Sequence, residues 1–317
     1  MFSPHPCYNH VAMAYFIGID GGGSKTECVL GDETRVLGRA TTGSCKLQVV
    51  GEAAARGAIY EAMGKASAKG NVHPEQISGV CVGISGISRS DVASIVLRWI
   101  QEVVSGPVQV VGDNAIALEA AFSAGPGVLV ISGTGSIAFG RDASGRTARA
   151  GGWGPAISDE GSGTWIGRNA VARVLRAADS GEQTSLRDAI LQVWKEQSLE
   201  DLVTLANRVP PPDFATLFPI VMEQARAGDV TAAEILDSAG AELAELARHV
   251  IDRLWPTHDP APVRITGGVL GGSEEVRRSF RQTLKVLSPN ARISDDIVEP
   301  VLGALALARK QAAAAKA

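Results

Sequence analysis

The sequence predicts an α/β chain in which one plan of strands and helices is laid down twice. Short apolar runs alternate with helical stretches in the order strand, strand, strand, helix, strand, helix, strand, helix, a pattern of sheets covered by helices. A glycine turn opens each half: Gly21-Gly22-Gly23 after the run Tyr15 to Asp20, and Gly133-Thr134-Gly135 after Gly127 to Ser132. At 317 residues the chain is long for one compact core, so two domains are expected.

In the first half, Tyr15 to Asp20, Glu27 to Gly31 and Arg35 to Ala40 read as three short strands parted by glycine or acidic turns. Gly51 to Lys69 reads as a helix, with Ala55, Ile59, Ala62 and Met63 at helical spacing. Ile77 to Ile84 is a buried strand. Ser88-x-x-Asp91 marks a helix start leading into Val92 to Val104. Val108 to Val111 is another strand, and Asn114 to Ser123 a helix closed by Gly125-Pro126. The second half restarts with strands at Gly127 to Ser132, Ser136 to Gly140 and Thr147 to Ala150. A helical block from about 160 to 254 then interrupts it, with breaks near Ser180, Pro210-Pro211-Pro212 and Gly228. The repeat resumes with a strand at Pro262 to Thr266, a helix at Ser273 to Leu287, a strand at Ala291 to Ile293 and a last helix at Pro300 to Lys310. Duplication of this kind decides a fold more firmly than one motif. Two such halves would present their glycine hairpins to each other across a cleft and clamp a polyphosphate from both sides.

Composition narrows the function. Hydrophobic residues make up 45% and charged residues 20%, as in soluble globular chains. A net charge of -4 and a pI near 5.8 leave no basic footprint for nucleic acid. No apolar run reaches membrane-span length. The segment from Met1 to Met13 lacks a basic region followed by an apolar core, so residues 1–14 read as a loose extension rather than a signal peptide. Cys7, Cys28, Cys45 and Cys81 form no C-x-x-C pair, which points to reduced thiols and a cytoplasmic setting. The five histidines are scattered, against a histidine-based metal centre.

The chemistry gathers in four stretches. In Asp20-Gly21-Gly22-Gly23-Ser24-Lys25-Thr26, three glycines cost backbone entropy and contribute no packing. Bare N–H groups meeting a phosphate would explain them, with Asp20 reaching a hydrated Mg²⁺; a tight hairpin turn would also satisfy them. Gly133-Thr134-Gly135 tempts a dinucleotide reading, but Ile137-Ala138-Phe139-Gly140 continues extended where that motif needs a helix. Asp113 ends a strand, where ligands bind in open α/β sheets, and suits a general base; it also suits a helix N-cap. Gly151-Gly152-Trp153-Gly154-Pro155 followed by Ser158-Asp159-Glu160 offers an aromatic face and carboxylates for a sugar. The alternatives are Trp153 as core filler and Asp159-Glu160 serving the dipole of the next helix, which suits Glu160 better than Asp159. Thr266-Gly267-Gly268-Val269 suits close approach of backbone to a flat base, or a plain loop.

The set IGIDGGGSKT, ISGTGS, GGWG with SDEGS, and ITGG resembles the N-acetylglucosamine kinase branch of the BadF/BadG/BcrA/BcrD family, within the actin/hexokinase/Hsp70 superfamily. The resemblance runs from Tyr15 to about Arg309. It implies an actin-like ATPase fold of two duplicated ribonuclease H-like domains: 15–125 completed by a helix at 300–312, and 126–299 carrying the helical insertion. It implies ATP and Mg²⁺ as cofactors and transfer of the γ-phosphate to the 6-hydroxyl of an amino sugar. By position, Asp20 matches the metal aspartate and Asp113 the catalytic base. Gly22, Gly23, Ser24, Lys25 and Thr26 match the first phosphate loop, Gly133, Thr134 and Gly135 the second, and Gly267 with Gly268 the adenosine site. Gly152, Trp153, Gly154 and Asp159 match sugar contacts, with Asp113 also touching the sugar. Where relatives place an asparagine on the sugar, this chain has Lys46, which bears on which sugar is used. Other implied readings are a glucosamine, N-acetylmuramate or hexose kinase, and an ATPase activator of an acyl-CoA dehydratase or reductase, disfavoured because cluster-type cysteines are missing. A sugar-sensing regulator would need a basic helix-turn-helix segment before the fold. Small-molecule partners, no nucleic acid, no membrane and a homodimer complete the expectation.

Overall fold

A computed structural model describes residues 13–84, 90–257 and 259–315. The extension read at 1–14 and the helix start read at Ser88 fall wholly or largely outside these residues. The chain divides into two compact units, one running to Ser123 and resuming at Glu299, the other spanning Ala124–Val298.

Unit 1 opens with β1 (Tyr15–Gly21), β2 (Thr26–Gly31) and β3 (Val36–Thr42), an antiparallel meander. A short α1 (Leu47–Val50), which the sequence reading missed, leads into α2 (Glu52–Gly70). Then come β4 (Ile77–Ile84), α3 (Ser90–Gln101), β5 (Val108–Gly112) and α4 (Asp113–Phe122). Strands β1, β4 and β5 are parallel, giving the order β3-β2-β1-β4-β5. β4 is buried along nearly its whole length, so it reads as the near-continuous apolar run Ile77-Ser-Gly-Val-Cys-Val-Gly-Ile84 rather than an alternation. The C-terminal helix, Pro300–Ala314, lies on this sheet. Gly18 admits it: a β-carbon there would stand 2.3 Å from the Leu305 amide nitrogen.

Unit 2 repeats the topology. Strands β6 (Gly127–Ser132), β7 (Ser136–Arg141) and β8 (Thr147–Gly151) form the antiparallel part. The helical block holds α5 (Gly163–Ser180), α6 (Leu186–Trp194), α7 (Leu199–Ala206), α8 (Phe218–Arg226) and α9 (Val230–Leu254). Then follow β9 (Ala261–Thr266), a five-residue α10 (Gly268–Gly272), α11 (Glu274–Leu287) and β10 (Ala291–Ile297). The order β10-β9-β6-β7-β8 is that of unit 1 read from the other edge, with β6, β9 and β10 parallel. α9 shows why the core forms: Ala232, Ile235, Leu236, Ala239, Leu243, Ala247, Val250 and Leu254 fall on one helical face, and all are buried. Asp229 caps it by accepting from the Ala232 amide at 2.8 Å. α11 packs its Phe280, fully buried, into the same core; truncation to Ala would cost about 3–5 kcal/mol.

Candidate active site

The carboxylates of unit 1 stand at strand ends. Asp20 is next to last in β1, opposite Glu27 on β2. Burial, then the charge of Asp113, then that of Glu27 push its pKa up to about 7, with Lys25 opposing. Asp113 is the first residue of α4, directly after β5; Gly112, with extended backbone, holds the cap position. The cap reading of Asp113 therefore gives way. Its Oδ1 instead accepts from the Asn114 amide at 2.8 Å. Burial raises its pKa, while that hydrogen bond and the Lys46 ammonium hold it down. Lys46, capping α1, has its stem against the glycine turn, with Cδ 3.6 Å from where a Gly23 β-carbon would lie. Ser44 fixes it there: its hydroxyl accepts from the Lys46 amide at 3.1 Å and contacts the Gly22 carbonyl at 3.3 Å. Asp20, Asp113 and Lys46, from three separate elements, thus form one charged group. Ser44 was not anticipated, because its role is a through-space tie without a sequence pattern.

The glycine turn between β1 and β2 is a true hairpin. The Gly22 amide closes it on the Lys25 carbonyl at 2.9 Å, so that N–H is already committed. Gly23, Ser24 and Lys25 are exposed at the tip, and Lys25 pairs with Glu27 at 2.7 Å. Thr26 is a correction to the sequence reading. It is fully buried and its hydroxyl donates to the Gly43 carbonyl at 2.8 Å, so it braces the hairpin and offers nothing to a phosphate.

In unit 2 the second turn gathers three loops. The Gly133 amide donates to the Gly135 carbonyl at 2.9 Å, and the Gly163 amide at the start of α5 donates to the Gly133 carbonyl at 2.8 Å. Thr164 donates its hydroxyl to the Thr134 carbonyl at 2.8 Å, leaving the Thr134 side chain exposed. A β-carbon on Gly133 would come 3.9 Å from the Gly268 amide nitrogen, so the ITGG loop adjoins this turn. Gly267 has φ +100°, and a β-carbon on it would lie 2.2 Å from the Ser132 carbonyl oxygen; only glycine fits. Asp159, buried with φ +65°, packs its carboxylate on Gly135, where a β-carbon would lie 2.8 Å from Oδ2. Its Oδ1 also accepts from the Gly154 amide at 3.3 Å. The loop of Gly152, Trp153 and Gly154 and the turn of Gly133 to Gly135 thus meet at Asp159.

Two readings of this loop are corrected. Trp153 is 65% exposed and is not core filler. Glu160 does not serve the helix end, since Ser162 caps α5 by accepting from the Trp165 amide, and Glu160 takes the Ser158 hydroxyl instead. Ser132 and Ser136 donate to the carbonyls of Gly161 and Glu160 at 2.9 and 2.7 Å, pinning the loop to β6 and β7.

The family model of the BadF/BadG/BcrA/BcrD ATPases matches residues 17–308. This chain belongs to that family. The chain is 33% identical over 304 residues to an N-acetylmuramic acid/N-acetylglucosamine kinase of Clostridium acetobutylicum, covering 94% of itself and 99% of that protein. It is 32% identical over 309 residues to an N-acetyl-D-glucosamine kinase of Dictyostelium discoideum, covering 92% and 97% of the two chains. Its fold matches the crystal structure of a candidate N-acetylglucosamine kinase of Chromobacterium violaceum with a TM-score of 0.73 at 25% identity, over 93% of this chain and 99% of that one. The mixed α/β fold is that of the actin-like sugar kinases. Among the described residues no helix is long and apolar enough to cross a membrane.

Proposed function

We propose that the chain is an ATP-dependent amino-sugar kinase that transfers the γ-phosphoryl group of ATP to the 6-hydroxyl of N-acetylglucosamine. The observation that carries this reading is the group formed by Asp113, Asp20 and Lys46 in a chain of this family. Burial raises the Asp113 pKa and so readies the carboxylate to take a proton, while one amide and the Lys46 cation oppose the rise, a balance that suits a general base. Asp113 accepts the proton of the 6-hydroxyl as that oxygen attacks phosphorus. In unit 2, Asp159 and the Trp153 loop supply sugar contacts; in unit 1, Lys46 takes the position where a sugar contact is expected. In unit 1, Gly23, Ser24 and Lys25 form a phosphate loop; in unit 2, Gly133, Thr134 and Gly135 form a second one, with Gly267 and Gly268 beside it for the adenosine.

The donor set fits a magnesium ion brought with the nucleotide. Asp20 is a carboxylate crowded by Asp113 and Glu27, and such crowding is relieved by a cation. Mg²⁺ takes one or two protein carboxylates and fills its other positions with water and phosphate oxygens. Asp20 would hold it, and the ion would offset the charge developing on the transferred group. The rest of the catalysis is positioning. The homodimer rests on the family resemblance, and the cytoplasmic setting on the lack of a C-x-x-C pair among the four cysteines.

An ADP-release assay over N-acetylglucosamine, glucosamine, N-acetylmuramate and glucose tests the reading. Release that depends on N-acetylglucosamine and yields its 6-phosphate is expected. Acceptor-independent ATP hydrolysis would overturn it in favour of an ATPase activator. Against that second reading, Cys28, Cys45 and Cys81 are buried in unit 1, and burial pushes the thiols of Cys28 and Cys81 up to about 12.

A further inference from the structure

Beside the Trp153 loop, unit 2 carries a groove of about 470 Å³ lined by Arg146, Arg149, Trp153, Arg253 and Leu254. β8 is an edge strand, so one row of its backbone groups faces no other strand. Arg253, in the last turn of α9, donates from Nη1 to the Arg149 carbonyl at 2.9 Å. The Arg149 guanidinium lies 4.1 Å over the centre of the Trp153 ring. Two guanidinium groups are thereby brought to the middle of β8, and a third, Arg146, stands just before the strand. Arg146 pairs with Asp142 at 2.7 Å, whereas Arg149 and Arg253 have no carboxylate partner among the described residues. In a chain with net charge -4, this is a concentration of uncompensated positive charge. Stacking on an indole covers one guanidinium face and leaves its N–H edge free, the geometry that grips a carboxylate with two hydrogen bonds.

The place of the groove suggests its ligand. Trp153 is followed by Gly154, whose amide is held by Asp159, the residue assigned to the sugar. A group projecting from a sugar at that loop would meet the guanidinium edge of Arg149. We infer that this groove receives a carboxylate-bearing substituent of the acceptor sugar, making Arg149, with Arg253 behind it, the determinant that admits acidic amino sugars. The inference rests on the amino-sugar kinase reading. It assigns the acid to the β8 edge of unit 2 rather than to Lys46 of unit 1.

The test compares kcat/KM for N-acetylmuramate and N-acetylglucosamine in the full chain and in Arg149→Gln, Arg149→Lys, Arg253→Gln and Lys46→Asn. In Arg149→Gln the ratio of the acidic to the neutral acceptor should fall roughly ten- to hundredfold, the worth of a charge-assisted hydrogen bond pair. Arg149→Lys should keep more of the ratio than Arg149→Gln, because it keeps the charge. N-acetylglucosamine, which carries no carboxylate, should lose less than N-acetylmuramate in Arg149→Gln. An equal loss for both sugars would mean that Arg149 merely props Trp153, and would overturn the inference. So would a ratio that falls in Lys46→Asn but not in Arg149→Gln, or a parent chain that phosphorylates N-acetylglucosamine and refuses N-acetylmuramate. A parent chain that phosphorylates no sugar would refute the kinase reading, and this inference with it.

Discussion

Replacing Asp113 by Asn removes the proposed base while leaving its surroundings nearly untouched. The amide oxygen can still accept from the Asn114 N–H now held at 2.8 Å, and Gly112 still caps α4. No buried charge is orphaned, since the substitution deletes a carboxylate whose ionisation burial already disfavours. Folding should therefore survive, and nucleotide binding with it. General-base assistance is worth about 10²–10⁴-fold, so kcat should fall by that factor, a barrier increase of about 3–5 kcal/mol. A coupled ADP-release assay at saturating sugar reads kcat, and calorimetric titration with ATP reads binding. The variant has a second signature: Asp113 is the largest charge acting to raise Asp20, so Asp113→Asn should bring the Asp20 pKa down from about 7. Carboxyl-group titration by NMR would detect that shift. A kcat within about tenfold of the parent would refute the base assignment, and an unmoved Asp20 would refute the proximity behind it.

Three further outcomes follow from named contacts. Asp20 has a folded pKa raised from 3.8 to about 7, so the stability it contributes is complete below about pH 4 and lost as pH rises through 7; Asp20→Asn should abolish that loss, and nucleotide-free melting curves at pH 5 and 8 check it. Gly267→Ala, with its β-carbon 2.2 Å from the Ser132 oxygen and φ at +100°, should cost about 2–5 kcal/mol, whereas Gly268→Ala, with no atom within 4 Å, should fold normally and raise only the KM for ATP. Thr26→Val should lower stability by about 1 kcal/mol in urea titration without altering the KM for ATP, because its hydroxyl is engaged inside the hairpin by Gly43 and Cys45.

What could be read in the sequence, and what could not, divides along a physical line. β4 and β6 were legible because parallel central strands buried on both faces must be nearly all apolar, and α9 because a single buried face imposes helical spacing. The glycine turns at 21–23 and 133–135 and the pair Gly267-Gly268 were legible for a different reason: backbone brought against backbone leaves no residue but glycine. Contacts between side chains distant in sequence leave no such trace. Nothing local announces that Ser44 ties Lys46 to the Gly22 turn, that Asp159 packs on Gly135, or that Arg253 reaches the carbonyl of Arg149, 104 positions away. The short helices α1 and α10 escaped for a related cause, since four or five residues are too few to show a period. Thr26 shows the reverse error: a hydroxyl after a glycine loop looks like a phosphate ligand by position, yet β-strand alternation turns it inward, and its depth in the sheet rather than its neighbours in sequence decides what it can touch.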